Sequence, residues 1–469
     1  MKAAGDLAQG SDPARHASIT KAGEPDGAPR VASIDILRGL AILAILFMNI
    51  NDMGGSMWAF FASDHRHLGW SQADQVAWWF REVLANGTAR CMLEMLFGVG
   101  MVILTDRAAQ AAAGKWTLLR RYYWRNVVLF AFGVIHLLVL LWPGDILHTY
   151  GIAALIAVWF RRLGPKWLLG IGLLMAVLQL GGGGYQYLTR PAQQARIAQL
   201  ETQQARGVAL AKADAKALKE ALEAREKRAK RKAEEQRKIA AEDVARSAAT
   251  GTLATWARAA WDFTYELQSQ GLEIIFVLEA LSTMLIGAAL YKWGIIQGSR
   301  SRRFYLWMTV IAYAIGLGAR ASGAFTEMRF DDSRSIIWPL GEFSRLLTTL
   351  GHIGLVHLLL GTSLGTKLLR PFEAAGKTAL SVYIAQTLIC IWVLYPPQMF
   401  GLYGTQGWMA LMITAFVVNA GLLWGANWWV RHYRIAPVEW AWRSIVEGRR
   451  LPFRKAAGPT TGGAVPVTA

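Results

Sequence analysis

Charged residues are scarce in this sequence of 469 residues, where Asp, Glu, Lys and Arg together make up 17% of the chain. Soluble globular proteins carry about 25%. Hydrophobic residues account for 54%, and apolar runs long enough to cross a bilayer recur between Ile34 and Val430. The shortage of charge therefore excludes a string of soluble domains. It predicts an all-α fold, a polytopic membrane helix bundle that has the lipid bilayer as its partner.

Cysteine is also nearly missing, since Cys91 and Cys390 are the only two and both lie in apolar stretches. Neither belongs to a CxxC or Cys/His spacing of the kind that holds zinc. The sequence therefore predicts no disulfide framework and no metal site. It also lacks GxSxG, Walker A and HExxH motifs, which leaves ATP-driven transport and ordinary soluble hydrolase chemistry without support.

Apolar windows of about 19 residues predict about ten membrane spans. The first five fall within residues 31–187 and the last five within 271–430. Residues 1–30 have no apolar core of the kind found in signal peptides, and we expect a disordered cytoplasmic tail there. A basic cytoplasmic tail is expected at 431–469. The expected spans are 34–55, 85–104, 124–142, 146–160, 166–187, 271–291, 304–320, 341–364, 378–395 and 408–430.

The net charge of +18 is unevenly distributed between the loops. If the N-terminus is cytoplasmic, the short loops on that side are rich in Lys and Arg, whereas those on the other side hold few, among them Arg66, Arg329 and Arg334. The positive-inside rule then predicts a multi-pass protein of a bacterial inner membrane with both termini in the cytoplasm. The basic excess is a topology signal, and no nucleic-acid partner is expected.

Residues 188–270 have a different composition, dense in Ala, Glu, Lys, Arg and Gln, and predict a soluble, charged helical insert on the extracytoplasmic side. No Gly or Pro occurs from Val208 to Thr250, so one helix of about 65 Å is expected, with Gly207 as a possible break before it. Apolar residues are too sparse there for a coiled-coil seam. This favours a solvated, projecting helix over a segment that docks a partner.

Ionisable side chains at bilayer depth are costly and so mark functional candidates. Asp35 and Arg38 lie three residues apart in the first span, and Arg90 and Glu94 lie four apart in the second. Each pair could be a structural ion pair or could bind an anion. Asn49 is placed to hydrogen-bond across helices or to a substrate. Further charged candidates at depth are Glu273, Glu279, Arg320, Glu342 and Arg345.

The most informative segment is a Pro-Gly turn that follows Trp142 and sends Asp145 and His148 back into the membrane. A carboxylate three residues from an imidazole can orient the ring and raise its basicity, which suits a general base. An N-capping Asp above a buried His is the structural alternative. His136, in the preceding span, is interpreted as a core hydrogen-bonding residue.

The outer loop after the first span contains His67, Trp70 and Asp74 among other polar residues. Such a group could bind a polar acceptor, for example a sugar or other glycan. An ordinary solvent-exposed loop is the alternative interpretation.

Five motifs occur in order along the chain, namely DILRG at 35–39, LFGVG at 96–100, WPGDIL at 142–147, GKTALSVY at 376–383 and PVEWAWR at 437–443. Together they resemble the YeiB family of multi-span bacterial membrane proteins. The resemblance covers both ends of the chain and omits the charged insert.

The Arg-Gly of the first span and the glycine-rich end of the second are more distantly similar to transmembrane acyltransferases. These include the sugar O-acyltransferases and heparan-alpha-glucosaminide N-acetyltransferase. That similarity implies a cytoplasmic acyl-CoA, with acetyl-CoA as the expected donor, and an acceptor on the far side. His67, Trp70 and Asp74 resemble the His-x-x-Trp pattern and following Asp of the heparan enzyme. The sugar O-acyltransferases have a histidine at the end of the first span, where this chain has Asn49.

The expected function is transfer of an acyl group from acyl-CoA to an acceptor hydroxyl or amine, with no permanently bound cofactor. His67 and His148 compete as the general base, and Asp74 or Asp145 would orient it. A transporter or flippase for a small molecule or lipid is the alternative, and a homo-oligomer is possible. The expected CoA-binding residues are Arg38, Arg90, Arg120 and Arg121, and the expected substrate-binding residues are Asn49, Trp70, Trp142 and Glu94.

Overall fold

A computed structural model of the protein describes residues 32–62, 64–110, 115–331 and 333–455. Within these ranges the chain is helical, with one isolated β-bridge and no strand. The predicted all-α fold is therefore confirmed. The expected N-terminal tail at 1–30 and the end of the expected basic tail, after residue 455, lie outside the described residues.

The described ranges contain sixteen α-helices. They are α1 (Ala32–Gly54), α2 (Gln72–Phe80), α3 (Thr88–Gln110), α4 (Lys115–Leu138), α5 (Leu147–Ala157), α6 (Pro165–Gln179), α7 (Gly183–Ala205), α8 (Lys212–Arg246), α9 (Leu253–Ser269), α10 (Leu272–Lys292), α11 (Arg302–Glu327), α12 (Ile337–Leu360), α13 (Ser363–Lys377), α14 (Ala379–Ile389), α15 (Trp408–His432) and α16 (Pro437–Glu447). Shorter 3₁₀ or π turns occur at Met57–Phe61, Arg66–Leu68, Arg81–Ala85, Val158–Phe160 and Cys390–Leu394.

Seven apolar helical stretches among the described residues are long enough to cross a membrane, and an eighth is the pair α13 and α14, which bends by 82°. Each of the ten expected spans falls on a helix. The two outside these eight are α4, whose first half carries Arg120, Arg121 and Arg125, and α5, which has only 11 residues. The multi-span bundle is confirmed, whereas α4 and α5 do not by themselves combine the length and apolarity of a membrane span.

Helices α1, α3 and α10 form the centre of the bundle. In α1 and α10, 67% of the apolar stretch is buried, against 22% in the peripheral α15. Helices α3 and α10 cross closely, because Gly98 lies against the backbone of Met284 and Gly287 lies against that of Met95. A Cβ atom at either glycine would stand within 2.2 Å of a carbonyl oxygen. Small residues at a crossing let membrane helices approach in this way.

The charged insert is three helices, α7, α8 and α9, and not one long projecting helix. Gly207, with a φ of +73°, makes the turn between α7 and α8. The two helices then run side by side, joined by an Arg196–Asp214 ion pair at 2.6 Å. The expected uninterrupted helix from Val208 is shorter, because α8 begins at Lys212.

The C-terminal end of α8 is anchored in the bundle, which corrects the expectation of a solvated helix. Glu242 accepts hydrogen bonds from Arg246 at 2.7 Å, from the Ser56 hydroxyl at 2.5 Å and from the Trp58 backbone N–H at 3.3 Å. The Arg246 guanidinium also lies 3.9 Å from the centre of the Trp256 ring. Both members of this ion pair are buried. A buried ion pair whose polar atoms have partners fixes the position of the helix, because separating the two residues would leave a buried charge without a partner.

The bundle has two opposite ends, the insert face and the tail face. The insert face is the end that meets α7, α8 and α9, where α1 ends and where α5 and α10 begin. The tail face is the opposite end, where α1 begins and where α16 packs against α4 and α14. Any site built from the insert and the bundle together lies at the insert face.

Candidate functional site

A cavity of about 1430 Å³ lies between the bundle and the insert, at the insert face. Its walls come from α1, α3, α5, α7, α8 and α10 and from the loop that follows α1. The fold therefore brings together residues from distant parts of the chain. Eight residues named as candidates from the sequence line this cavity, namely Asn49, His67, Arg90, Glu94, Trp142, Asp145, His148 and Glu273.

His148 lies at the buried end of the cavity, between two carboxylates. Its Nδ1 is 2.7 Å from Asp145 Oδ2, and its Nε2 is 3.1 Å from Glu273 Oε2. The His148 backbone N–H donates to the same Asp145 oxygen at 2.9 Å. The turn before it needs Gly144, because a Cβ there would stand 2.5 Å from the Trp142 ring. Asp145 therefore accepts a backbone N–H at the start of α5 and also contacts the imidazole, while the role of His148 as a general base stays a prediction.

Asp145 also contacts a second histidine, His136, and the sequence did not predict this contact. Its Oδ1 lies 2.6 Å from Nδ1 of His136, whose Nε2 lies 2.8 Å from the Thr387 hydroxyl. The side chains of His136 and Asp145 are completely buried. No local spacing signals this contact, because it depends on how α4 and α5 pack across the turn. His136, Asp145, His148 and Glu273 are called the histidine–carboxylate chain below.

Glu273, at the start of α10, is the last member of the histidine–carboxylate chain. Its Oε1 accepts a hydrogen bond of 2.8 Å from the Thr149 hydroxyl, next to His148. The sequence identified Glu273 only as a charged residue at depth. Its partner lies 125 residues earlier, and only the packing of α10 against α5 brings the two together.

Arg90 and Glu94 belong to a second buried group, which involves three more helical residues. Arg90 bonds Glu279 at 2.7 Å and lies 3.7 Å from Glu94. Arg345 contacts Glu94, Glu279 and Glu342 at 3.1, 3.0 and 2.6 Å. Arg90 thus meets carboxylates at the insert face, and the structure does not place it with Arg38. Two guanidiniums and three carboxylates form this network.

The expected group His67, Trp70 and Asp74 is not brought together. His67 lines the rim of the cavity. The Asp74 carboxylate instead accepts hydrogen bonds from the Ser71 hydroxyl at 2.7 Å and from the Met409 backbone N–H at 2.9 Å. It therefore caps α2 and ties it to the start of α15. Trp70 packs on other aromatic rings and is not among the cavity-lining residues.

Asp64 and Arg66, in the loop beside His67, form an ion pair at the rim. Arg66 donates two hydrogen bonds to the Asp64 carboxylate, at 2.8 and 2.6 Å. These bonds hold the pKa of Asp64 at about 2, below its ordinary value of 3.8. Asp64 therefore stays ionised at neutral pH, and the pair adds no net charge to the rim.

A separate group of arginines lies at the tail face, away from the cavity. Arg38 bonds Asp35 at 2.6 Å, as its spacing in the sequence predicted. The Arg125 guanidinium lies 4.2 Å from the centre of the Trp442 ring, and Arg38, Arg121 and Arg443 act on it electrostatically. The tail-face arginines, as they are called below, are Arg38, Arg120, Arg121, Arg125 and Arg443.

Neither cysteine takes part in a disulfide, because Cys91 and Cys390 are both buried and free. Within the described ranges, no three His, Cys, Asp or Glu side chains are arranged to hold a metal ion.

Sequence comparisons find relatives along most of the chain. "Uncharacterized protein YxaH" of Bacillus subtilis (strain 168) is 27% identical over 447 residues, covering 91% of this chain and 96% of that protein. "Uncharacterized protein YeiB" of Escherichia coli (strain K12) is 27% identical over 440 residues, covering 92% of this chain and 98% of that protein. Residues 290–449 match a family described as "Protein of unknown function (DUF418)". The two long matches extend across both halves of the bundle.

Proposed function

This chain belongs to the YeiB family, and we propose that it is an integral-membrane acyltransferase. In this proposal, an acyl group moves from cytoplasmic acyl-CoA to an acceptor hydroxyl or amine on the other side of a bacterial inner membrane. The cavity at the insert face is the acceptor site. The histidine–carboxylate chain at its buried end is the observation that carries the proposal.

His148 is the general base of the proposed reaction. The acceptor hydroxyl displaces Glu273 from Nε2, and the Glu273 carboxylate leaves with the proton that it shares with that nitrogen. The hydroxyl then gives its own proton to the freed Nε2 while its oxygen attacks the thioester carbonyl carbon. The new C–O bond forms, the C–S bond breaks, and the CoA thiolate takes up the proton and leaves as the free thiol. Asp145 stabilises the imidazolium through the 2.7 Å contact to Nδ1.

The surroundings of the two candidate histidines favour His148 over His67. A general base works best when a second group fixes its ring and supports its positive charge. His148 has Asp145 in this position. The carboxylate expected to serve His67, that of Asp74, is instead bonded to Ser71 and Met409.

The tail-face arginines are the proposed site for the phosphates of CoA. Guanidinium groups bind phosphate oxygens with paired hydrogen bonds and remain charged at all physiological pH values. The Arg38 side chain is 34% exposed, so a ligand has access to it. Arg90 takes no part in this site, because it lies at the other face of the bundle.

An assay of purified protein in lipid nanodiscs tests the proposal. With acetyl-CoA and a panel of sugar and amine acceptors, the wild-type protein is expected to release CoA thiol only when an acceptor is present. His148→Gln is expected to slow this release by about 10²–10⁴-fold, since a general base contributes that much. His67→Gln is the matched control and keeps most of the activity.

Two results would overturn the acyltransferase proposal. One is the lack of acceptor-dependent CoA release across the panel, and the other is a His148→Gln variant as active as wild type. A transporter is the second candidate, and the buried charge network of Arg90, Glu94 and Arg345 beside the cavity favours it, since such groups line substrate paths. Uptake into vesicles without CoA release would support the transporter.

A further inference from the structure

Helices α7 and α8 of the insert form one wall of the cavity that contains His148. The lining residues of α8 include Ala221, Arg225, Arg228 and Lys232. They recur every three or four residues, so they lie on one face of the helix. The insert therefore turns a particular face toward the proposed acceptor site.

That face of α8 carries more positive than negative charge, because four of its cations and a single carboxylate, that of Glu235, line the cavity. Away from the cavity, Lys216 and Lys219 each pair with a glutamate one turn further along the same helix. Inside the cavity, Arg228 and Lys232 form no ion pair with any carboxylate of the described residues. Arg228 and Lys232 therefore present positive charge to the cavity without an ion-pair partner among the described residues, whereas Lys216 and Lys219 on the opposite face are paired.

Helix α7 and further residues of α8 add to the same wall. Arg190 of α7 lines the cavity, with its guanidinium 4.9 Å from the centre of the Trp338 ring. Arg225 and Arg231 also line it, although each has a glutamate partner. The basic wall, as it is called below, consists of Arg190, Arg225, Arg228, Arg231 and Lys232.

The anchoring of α8 fixes the basic wall in place over the cavity. Glu242 and Arg246 seat the end of the helix in the bundle, and the Tyr403 hydroxyl donates to Asp243 at 2.9 Å. Lys232 lies close enough to the loop after α1 to act electrostatically on Asp64. The positive charges therefore belong to the cavity and are not those of a freely moving helix.

The charged groups at the buried end of the cavity already have partners. Asp145 and Glu273 contact His148 there, and Arg90 pairs with Glu94 and Glu279. An anionic group is therefore attracted to the basic wall, which orients a bound molecule. A molecule that places its anion on the wall directs its other end toward His148.

We propose that the basic wall binds a phosphate group of the acceptor, which makes the substrate a phosphorylated hydroxyl or amine compound. A phosphate monoester carries a charge of about −1.5 to −2, which matches several clustered cations better than a single carboxylate does. Arginine also bonds phosphate through two parallel hydrogen bonds. The phosphate belongs either to a lipid headgroup or to a soluble sugar phosphate. The acceptor role rests on the proposed acyl transfer, whereas phosphate binding by the wall does not.

Equilibrium binding to the purified full-length protein in detergent, without acyl-CoA, tests this proposal. The probes are glycerol 3-phosphate for a soluble source and dihexanoyl phosphatidic acid for a lipid source, with glycerol as the uncharged comparison. Arg228→Gln combined with Lys232→Gln is expected to weaken phosphate binding by about tenfold or more, because charge-assisted hydrogen bonds are lost. Lys216→Gln combined with Lys219→Gln removes the same charge from the outward face and is expected to leave the affinity unchanged.

The outcomes separate this proposal from the proposed activity. Binding of either phosphate probe that falls only in the cavity-facing double variant supports the basic wall, even if no acyl transfer is found. Binding of phosphatidic acid alone assigns the lipid source, and binding of both probes assigns the phosphate itself. The proposal is overturned if neither probe binds, or if both double variants lose affinity equally.

Discussion

A single buried carboxylate, that of Asp145, organises the residues around His148. Its two oxygens contact the rings of His136 and His148, at 2.6 and 2.7 Å, and accept the backbone N–H of His148 as well. A buried carboxylate is costly unless hydrogen bonds replace its lost hydration. Here three contacts do so, and removing the carboxylate would leave two buried imidazoles without their partner.

Asp145→Ala is therefore expected to destabilise the protein by about 3–5 kcal/mol, the usual cost of breaking a buried pair. The measurement is the midpoint of thermal unfolding in detergent. Asp64→Ala is the control, because it removes a carboxylate whose arginine partner is 52% exposed and is expected to leave the midpoint nearly unchanged. Equal midpoints for the two variants would show that Asp145 has no such structural role.

Two of the motifs that resemble the YeiB family lie where helices pack against one another. Gly39 of the DILRG motif packs against the backbone of Phe372 and Gly376 at the crossing of α1 and α13. Glu439 of the PVEWAWR motif accepts the Leu380 backbone N–H at 2.7 Å, at the start of α14. Such segments tolerate few residue types because a backbone or a helix end lies directly against them.

The close crossing of α3 and α10 makes a specific prediction for two neighbouring glycines. Gly98→Ala would place a Cβ 1.9 Å from the Met284 carbonyl oxygen, so the two helices must separate. We expect a loss of about 1–3 kcal/mol, typical of overpacking. Gly100→Ala, on the same helix, meets nothing within 4 Å and is expected to be neutral or slightly stabilising. Thermal unfolding of both variants is the measurement, and equal effects would contradict the close crossing.

Hydropathy predicted the positions of the membrane helices, because burial in lipid and burial in protein both select apolar side chains, but it did not predict α2, α13 and α16. The bend of 82° between α13 and α14 was not predicted, because residues 365–377 lay between two expected spans and were interpreted as a loop. The anchoring of α8 was not predicted either, because the sequence favoured a solvated, projecting helix. Its apolar residues are sparse, and the contacts that seat it come from the charged pair Glu242 and Arg246.

For the molecule as a whole, amphipathic helices lie at both ends of the bundle. On α9, Leu253, Trp261 and Tyr265 are exposed on the side away from the core. On α13, Leu364 and Leu368 are exposed, near basic residues at the tail face. Apolar residues with Trp, Tyr or Lys at their edges are typical of membrane–water interfaces. The membrane region of the proposed topology therefore lies between α9 and α13.

Cysteine labelling tests the proposed orientation directly, because both native cysteines are completely buried. Ala233→Cys, on the exposed part of α8, is expected to react with a membrane-impermeant maleimide in intact bacterial cells or spheroplasts. Arg449→Cys, after α16 at the tail face, is expected to react only after the membrane is permeabilised. The opposite pattern would place the tail face outside and would remove the basis for cytoplasmic CoA binding.

The sequence by itself determined the helical membrane architecture, the unusual composition of the insert and the contact between Asp145 and His148. These features are local, since hydrophobic runs, charge and short spacings act within a few turns of the chain. Only the tertiary structure decided which charged groups share the cavity. His136, Glu273 and the basic wall join Asp145 and His148 through contacts between helices far apart in sequence. Those contacts depend on which faces the helices turn toward one another, and that choice follows from the packing of the whole bundle.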